Sequence, residues 1–327
     1  METQIDYRAH SAMNYSRIKD FYTLGLLKYY KRHILKEKVE EKDSAALIVG
    51  SAVDVILFEG EDMFNKLFHC GDNVKIPTGK GGDFTLALHK FIKEGMEFNL
   101  ACKMAYSKAE MAENRFDGFM SKFADSDNAL YLKSLQEAEG KTSISVSDKE
   151  RANTNVHNLK TSPITKFLFE GDGYSQLELY FDYNGYPMKC KLDKLLVDKA
   201  NKTLRPWDLK VFYDVNDFEF RYTKDKLYIQ EAVYMKGIES FRDEHYPGWK
   251  IDKFKFCISH SANLWLPVLY NIKVTEGDLY EGFTTKSGRY HKGLDAMLSE
   301  ISWHEDNNIW NTTYELHNNK GIANRVI

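Results

Sequence analysis

The sequence predicts an α/β protein: a mixed central sheet flanked by helices, preceded by a helical N-terminal region. Three observations predict it. Apolar residues recur at helical spacing up to about residue 170, alternation replaces that period after Gly171-Asp172-Gly173, and Asn184-Gly185 gives a strong hairpin signal inside the alternating stretch. From there the order reads β-β-β-α-β-β-α. The expected organisation is a helical region over 1–170 and a sheet-bearing core over 171–327, packed as one compact unit. A length of 327 residues suits about two domains or one decorated domain.

Taken in order, residues 15–36 read as a helix with Ser16 as N-cap, since Ile18, Phe21, Tyr22, Leu26 and Tyr29 share a face. Gly25 weakens it by about 1 kcal/mol relative to Ala. After the charged stretch KEKVEEKDS, a second helix over 44–58 is apolar nearly all round and therefore expected to be buried. Residues 71–83, dense in glycine, read as a loop. Helices are expected at 84–96, 98–118, 127–137, 147–159 and 162–170. Strands follow at 174–183, 186–198 and 202–212, then a helix at 223–240, strands at 252–260 and 264–273, a helix at 274–302 and a polar tail.

Composition narrows the function classes. Apolar residues at 43% and charged residues at 28% supply a core and exclude wholesale disorder. Against 48 acidic residues stand 45 Lys and Arg, a net charge of −3, so any basic nucleic-acid surface must be local. No apolar run spans a membrane and the N-terminus lacks a secretory core, so a cytoplasmic protein is expected. Cys70, Cys102, Cys190 and Cys257 are too far apart in sequence for a CxxC site and are expected to be reduced thiols.

The hairpin fixes which side chains oppose one another. With Asn184 and Gly185 at the turn, Gln176 opposes Asp193 and Glu178 opposes Lys191. The next connection centres near Ala200, placing Asp193 opposite Asp208 or its neighbour. Strict alternation would then gather Glu178, Lys191, Asp193, Asp208 and Lys210 on one face and Leu177, Leu179, Phe181, Cys190, Leu192, Trp207, Leu209 and Val211 on the other. Opposed carboxylates repel, and a divalent cation offsets that. Mg²⁺ takes one or two carboxylates plus water and phosphate oxygens. Asp193, Asp208 and the Leu209 carbonyl could supply the protein share, with Lys210 beside an attacking water. A solvated face with ordinary ion pairs is the plainer alternative.

Asp193, fourteen residues, then Asp208-Leu209-Lys210 resembles the D…(D/E)-x-K signature of PD-(D/E)XK nucleases. Gln230 and Tyr234 in QEAVY resemble the Q-x-x-x-Y motif of the RecB-like branch, and Gly50-Ser51-Ala52-Val53-Asp54 its G-x-x-x-H segment, with Asp in place of His. The combination resembles the phage and prophage exodeoxyribonuclease VIII (RecE-type) nuclease domain, patchily over 1–60 and more firmly over 142–240. The resemblance implies a restriction-endonuclease-like core and metal ligation by Asp193 and Asp208 in a cleft to which Asp54 contributes. It further implies Lys210 as catalytic lysine, Glu178 as a supporting acid, and Gln230 and Tyr234 flanking the site. It implies an Mg²⁺- or Mn²⁺-dependent 5′-to-3′ exonuclease acting on duplex DNA ends in phage-type recombination. Ring-like homo-oligomers, a partner single-strand annealing protein and a phage-infected or prophage-bearing bacterial host follow from the same source. Asp offers a harder ligand than His, and Val211-Phe212 after the lysine departs from the commoner Thr.

Other signals fail. Lys80 is not in a P-loop frame, Cys257 and His260 lack a second metal-spaced pair, and Asp125 with Asp127 lacks the rest of a calcium loop. Residues 28–33 and 221–226 interleave cations with aromatics, as a nucleic-acid groove or a solvated helix end would. Three alternatives stay open: an endonuclease of the same fold, an inactive nuclease-fold DNA-binding protein, and a phage scaffold or interaction protein.

Overall fold

The computed structural model describes Tyr7 and residues 9–37, 45–71 and 77–323. In chain order the elements are α1 (Tyr15–Thr23), α2 (Leu26–Tyr29), α3 (Ala45–Phe58), α4 (Glu61–Leu67), β1 (Phe68–Gly71), α5 (Gly79–Lys93), α6 (Phe98–Lys108), α7 (Phe116–Phe123), α8 (Asp127–Glu137), β2 (Thr142–Ser145), α9 (Val146–Thr161) and α10 (Phe167–Glu170). They continue with β3 (Gly173–Tyr183), β4 (Tyr186–Asp198), β5 (Thr203–Phe212), α11 (Phe218–Lys224), α12 (Leu227–His245), β6 (Lys250–Ile251), β7 (Lys255–His260), β8 (Val268–Asn271), α13 (Glu276–Glu281), β9 (Gly282–Thr284), β10 (Tyr290–Lys292), α14 (Leu294–Asn307) and α15 (Tyr314–Asn318). The chain forms two compact units, one from 1–43 with 157–327 and one from 44–156. This division differs from the one expected at 170/171. The first helices go with the sheet because Ile18, Phe21 and Tyr29 are buried in its core.

That sheet has the order β3-β4-β5-β7-β8, with β6 also on β5. The β3, β4 and β5 ladders are antiparallel, β5 and β7 are parallel, and β7 and β8 are antiparallel, so the sheet is mixed as expected. A parallel pair needs a crossover, and α11 and α12 provide it. Asn184 and Gly185 both have positive φ, 52° and 81°, as a two-residue hairpin of right-handed strands requires. Helix α12 lies close on β3 and β4: a Cβ at Gly237 would stand 2.8 Å from the Cys190 Sγ and 3.0 Å from Phe181.

The other edge of β4 is shared. β5 pairs with its C-terminal half, from Lys194↔Trp207 to Asp198↔Thr203. Nearer the hairpin Met13 bridges Met188, with the Met13 N–H donating to the Pro187 carbonyl at 2.9 Å and the Lys189 N–H to the Met13 carbonyl at 2.8 Å. Lys189 is buried, and its ammonium donates to the carbonyls of Tyr7 at 2.5 Å and His10 at 2.6 Å.

The unit from 44–156 has its own core, in which Phe84 and Leu88 of α5 meet Cys102 and Tyr106 of α6, Phe123 of α7 and Leu132 of α8. β1 and β2 form a small parallel ladder there. In α3, Val49, Ala52, Val53, Val55, Ile56 and Leu57 are buried, as its all-round apolarity predicts, while Leu47 is exposed.

Several boundaries differ from expectation for identifiable reasons. Asn14, not Ser16, caps α1, accepting the Arg17 N–H at 2.8 Å. The first helix stops at Gly25, whose φ of 84° no helix interior adopts, and resumes as α2 and a π-helical turn over Tyr30–Ile34. Of the expected loop over 71–83, residues 72–76 lie outside the described residues and Gly79–Asp83 begin α5. Gly82 is required there, because a Cβ would lie within 2.2 Å of the Pro77 carbonyl oxygen. The expected helix over 274–302 is split by a hairpin, β9 and β10, which begins at Gly282 with φ 104°. Among the described residues no helix is long and apolar enough to cross a membrane. The four cysteines are free thiols.

Candidate active site

β4 changes phase where it matters. Met188, Cys190 and Leu192 belong to the core under α12, and so do Leu195 and Val197. Alternation alone cannot put even and odd positions of one strand on one face. The break falls at Asp193 and its opposite number Gln176, which has φ 51° and leaves the regular ladder. The register otherwise holds as expected, with Glu178↔Lys191 and Lys194↔Trp207 both realised.

This phase change relocates the acids. Counting on from Leu204, Asp208 and Lys210 take the face that looks at α12, with their parallel partners Phe256 and Ile258 in the same core. The expected division, with these two residues on a face opposite Cys190 and Leu192, is therefore corrected. Asp208 is only 2% exposed. Its Oδ1 accepts a hydrogen bond from the Gln230 Nε2 at 2.7 Å, and its Oδ2 forms an ion pair with the Lys210 Nζ at 2.5 Å. Asp193 occupies the fork where β4 and β5 part: its Oδ2 accepts the Leu209 N–H at 2.8 Å and its Oδ1 accepts from Gln176 at 3.0 Å.

Electrostatics follow from burial. Loss of water raises the Asp208 carboxyl above its ordinary range; the Lys210 ammonium opposes that rise and the neighbouring Asp193 adds to it. Tyr234, one turn beyond Gln230, has its hydroxyl raised well above the ordinary value by burial and then by Asp208, Cys190, Asp193 and Tyr7. It is thus a neutral O–H beside the acids. One buried oxygen beside the acids, Gln230 Oε1, has no hydrogen-bond donor.

The structure therefore brings together Asp193, Asp208, Lys210, Gln230 and Tyr234. It does not bring Glu178 to them: this side chain pairs with Lys191 at 3.5 Å, both about one-third exposed, on the face turned from α12. Asp54 is half-buried on α3, in the other compact unit. Among the described residues no three His, Cys, Asp or Glu side chains form a metal-binding group. Two participants were not assigned a role from sequence. Gln176 was placed opposite Asp193 without one, and Tyr15, whose hydroxyl donates to the Asp225 carbonyl at 2.6 Å and feels the Asp208 charge, carries no sequence signal.

No protein-family model and no curated protein matches the chain. Among solved structures, one from Eubacterium rectale described as a candidate exonuclease is similar at a TM-score of 0.43 and 15% identity, covering 99% of this chain and 89% of that one.

Proposed function

We propose that the chain is a metal-dependent phosphodiester hydrolase acting on DNA, with Asp193, Asp208 and Lys210 at its centre. The observation that carries the proposal is the buried Asp208 carboxylate, held between Gln230 and Lys210 beside a second acid. A costly arrangement of like charges in a dry place suits a functional site better than a structural ion pair.

The donor set fits a hard divalent cation. Asp193 and Asp208 offer carboxylate oxygens and Leu209 a backbone carbonyl, and the buried Gln230 Oε1 beside Asp208 has no hydrogen-bond donor. Mg²⁺ and Mn²⁺ sites commonly use only one or two carboxylates with phosphate and water, so the lack of a three-acid cluster among the described residues is compatible. When bound, the ion supplies charge for the phosphate and a lowered pKa for an attacking water.

Lys210, 24% exposed at its side chain, offers N–H donors to the non-bridging phosphate oxygens as negative charge grows there. Gln230 holds Asp208 by one oxygen and so fixes the other. Tyr234 excludes water and keeps its proton. In hydrolysis the water oxygen bonds to phosphorus, the bond to the 3′-oxygen breaks, and the proton lost by the water balances the one gained by the leaving oxygen. Exonucleolytic 5′-to-3′ action on duplex ends, a ring-shaped homo-oligomer, an annealing partner and a place in phage recombination rest on the sequence resemblance. So does the contribution of Asp54.

Linear and closed circular duplex DNA, incubated with Mg²⁺, Mn²⁺ or EDTA, test this beside Asp208→Ala and Lys210→Ala. Nucleotides released from the linear form only, by a reaction stopped by EDTA and slowed about 10²–10⁴-fold in either variant, are expected. Nicked circles would reassign the chain to endonucleases. Turnover unaffected by both substitutions would remove the site.

A further inference from the structure

At the start of α12, one turn before Gln230, lies a cavity of about 300 Å³ lined by Tyr22, Lys226, Arg289, His291, Lys292 and Glu300, among others. Three cations converge there from two parts of the chain. Lys226 immediately precedes α12 in a left-handed conformation, φ 56° and ψ 38°. That turn directs it over the Tyr22 ring, with Nζ 5.4 Å from the centroid. Arg289 and Lys292 come from the β9–β10 hairpin, Lys292 on the same ring at 5.7 Å.

The charges are unevenly matched. Lys292 pairs with Glu300 at 2.5 Å, and the Tyr22 hydroxyl donates to the same carboxylate at 2.8 Å. Glu315 also borders the cavity. Lys226 and Arg289 have no ion-pair partner among the described residues. Burial, then Arg289 and Lys292, disfavours the Lys226 ammonium, and burial, then Arg289 and Lys226, lowers His291. Like charges held together in a half-buried hollow are unfavourable unless an anion fills it.

We propose that this cavity is a phosphate site, in which Lys226 and Arg289 take the oxyanion of a phosphate group carried by the strand whose neighbouring linkage reaches Asp208. The placement supports that source. Lys226 and Gln230 are four residues apart, about 6 Å along the helix axis, so an anion held at Lys226 is one helical turn from the residue that holds Asp208. The strand assignment rests on the proposed hydrolase; the phosphate chemistry does not.

Lys226→Asn and Arg289→Gln remove one charge each. Asn tolerates the left-handed backbone and Arg289 is on an exposed hairpin, so circular dichroism should be unchanged. With the full chain, binding of inorganic phosphate is measured by calorimetry and binding of a labelled single-stranded oligonucleotide by anisotropy, without divalent ions. Each substitution is expected to weaken both about tenfold and to reduce the salt slope of strand binding by about 0.7. Weakened phosphate binding with unchanged strand binding would overturn the strand assignment, leaving a small phosphate compound as the ligand. No change with either probe would overturn the site itself. Asp208→Ala, run alongside, separates the two proposals. If the wild type never cleaves DNA yet the cation variants lose phosphate, the hydrolase fails and the pocket stands. If cleavage needs Asp208 and the cation variants bind normally, the reverse holds.

Discussion

Glu231 follows Gln230 on α12 and is 8% exposed. Its Oε2 accepts the Tyr222 hydroxyl at 2.6 Å. Burial outweighs that bond and the Lys253 charge, pushing its carboxyl up from 4.5 to about 7. An acid raised in the folded state keeps its proton there while the unfolded chain has lost it, so stability is full below pH 4.5 and declines as pH rises to 7. Each pH unit of that interval is worth about 1.4 kcal/mol, which gives about 3 kcal/mol over the whole window. Glu231→Gln keeps an oxygen for Tyr222 and removes the titration. Urea unfolding followed by tryptophan fluorescence is the assay, because all five tryptophans lie in the sheet-bearing unit and report on it alone. The Gln variant should match the wild type near pH 4.5 and exceed it by about 3 kcal/mol at pH 8. Asp208 titrates in the same direction in both proteins and drops out of the difference. A difference that stays flat across pH 4.5–8, or grows in favour of Glu, would refute the reasoning.

Three further outcomes follow from other contacts. Gly237→Ala should lose about 1 kcal/mol of stability in the same fluorescence assay despite its better helix propensity, because its Cβ meets Cys190 and Phe181; a gain would mean α12 is free to shift. Asp193→Asn should remain within about 0.5 kcal/mol of wild type, since it keeps an acceptor for the Leu209 N–H, yet abolish the proposed DNA hydrolysis, whereas Asp193→Ala should abolish it and also cost about 1–3 kcal/mol. Equal stability of the two variants would show that the fork does not depend on that bond. Lys189→Met should strip two carbonyls of their donor, costing about 2 kcal/mol and exposing the segment before Met13 to limited proteolysis, read by mass spectrometry.

What could be read from sequence was what local chemistry dictates. Asn184-Gly185 determines its own turn and hence the register from Tyr183↔Tyr186 to Gly173↔Leu196. Asp208 and Lys210 share a face because the period of a strand is two, and Gln230 on α12 donates to Asp208. The face itself differs from the one strict alternation predicts. Gln176 in a left-handed conformation has no sequence signature, so nothing announced that β4 would change phase at Asp193. Glycine misled in two directions: Gly82 looked like a loop residue but is packed under the Pro77 carbonyl, while Gly282 interrupts what read as one helix. The cationic cavity was invisible because Lys226 and Arg289 meet only through the tertiary path of the chain.

The Lys189 ammonium bound to the carbonyls of His10 and Tyr7 links positions 179 and 182 residues apart. On a ribosome the N-terminal segment emerges long before the strand it must join exists. At about 5–20 residues per second, that interval lasts about 10 to 35 s, during which Ile18, Phe21 and Tyr29 have no sheet to cover. The residues from 44–156, synthesised in the meantime with a core of their own, can fold first. The nascent chain thus has an ordered history imposed by its topology: the inserted unit early, the first helices late, and the Asp193 fork closed only after Leu209 has left the exit tunnel.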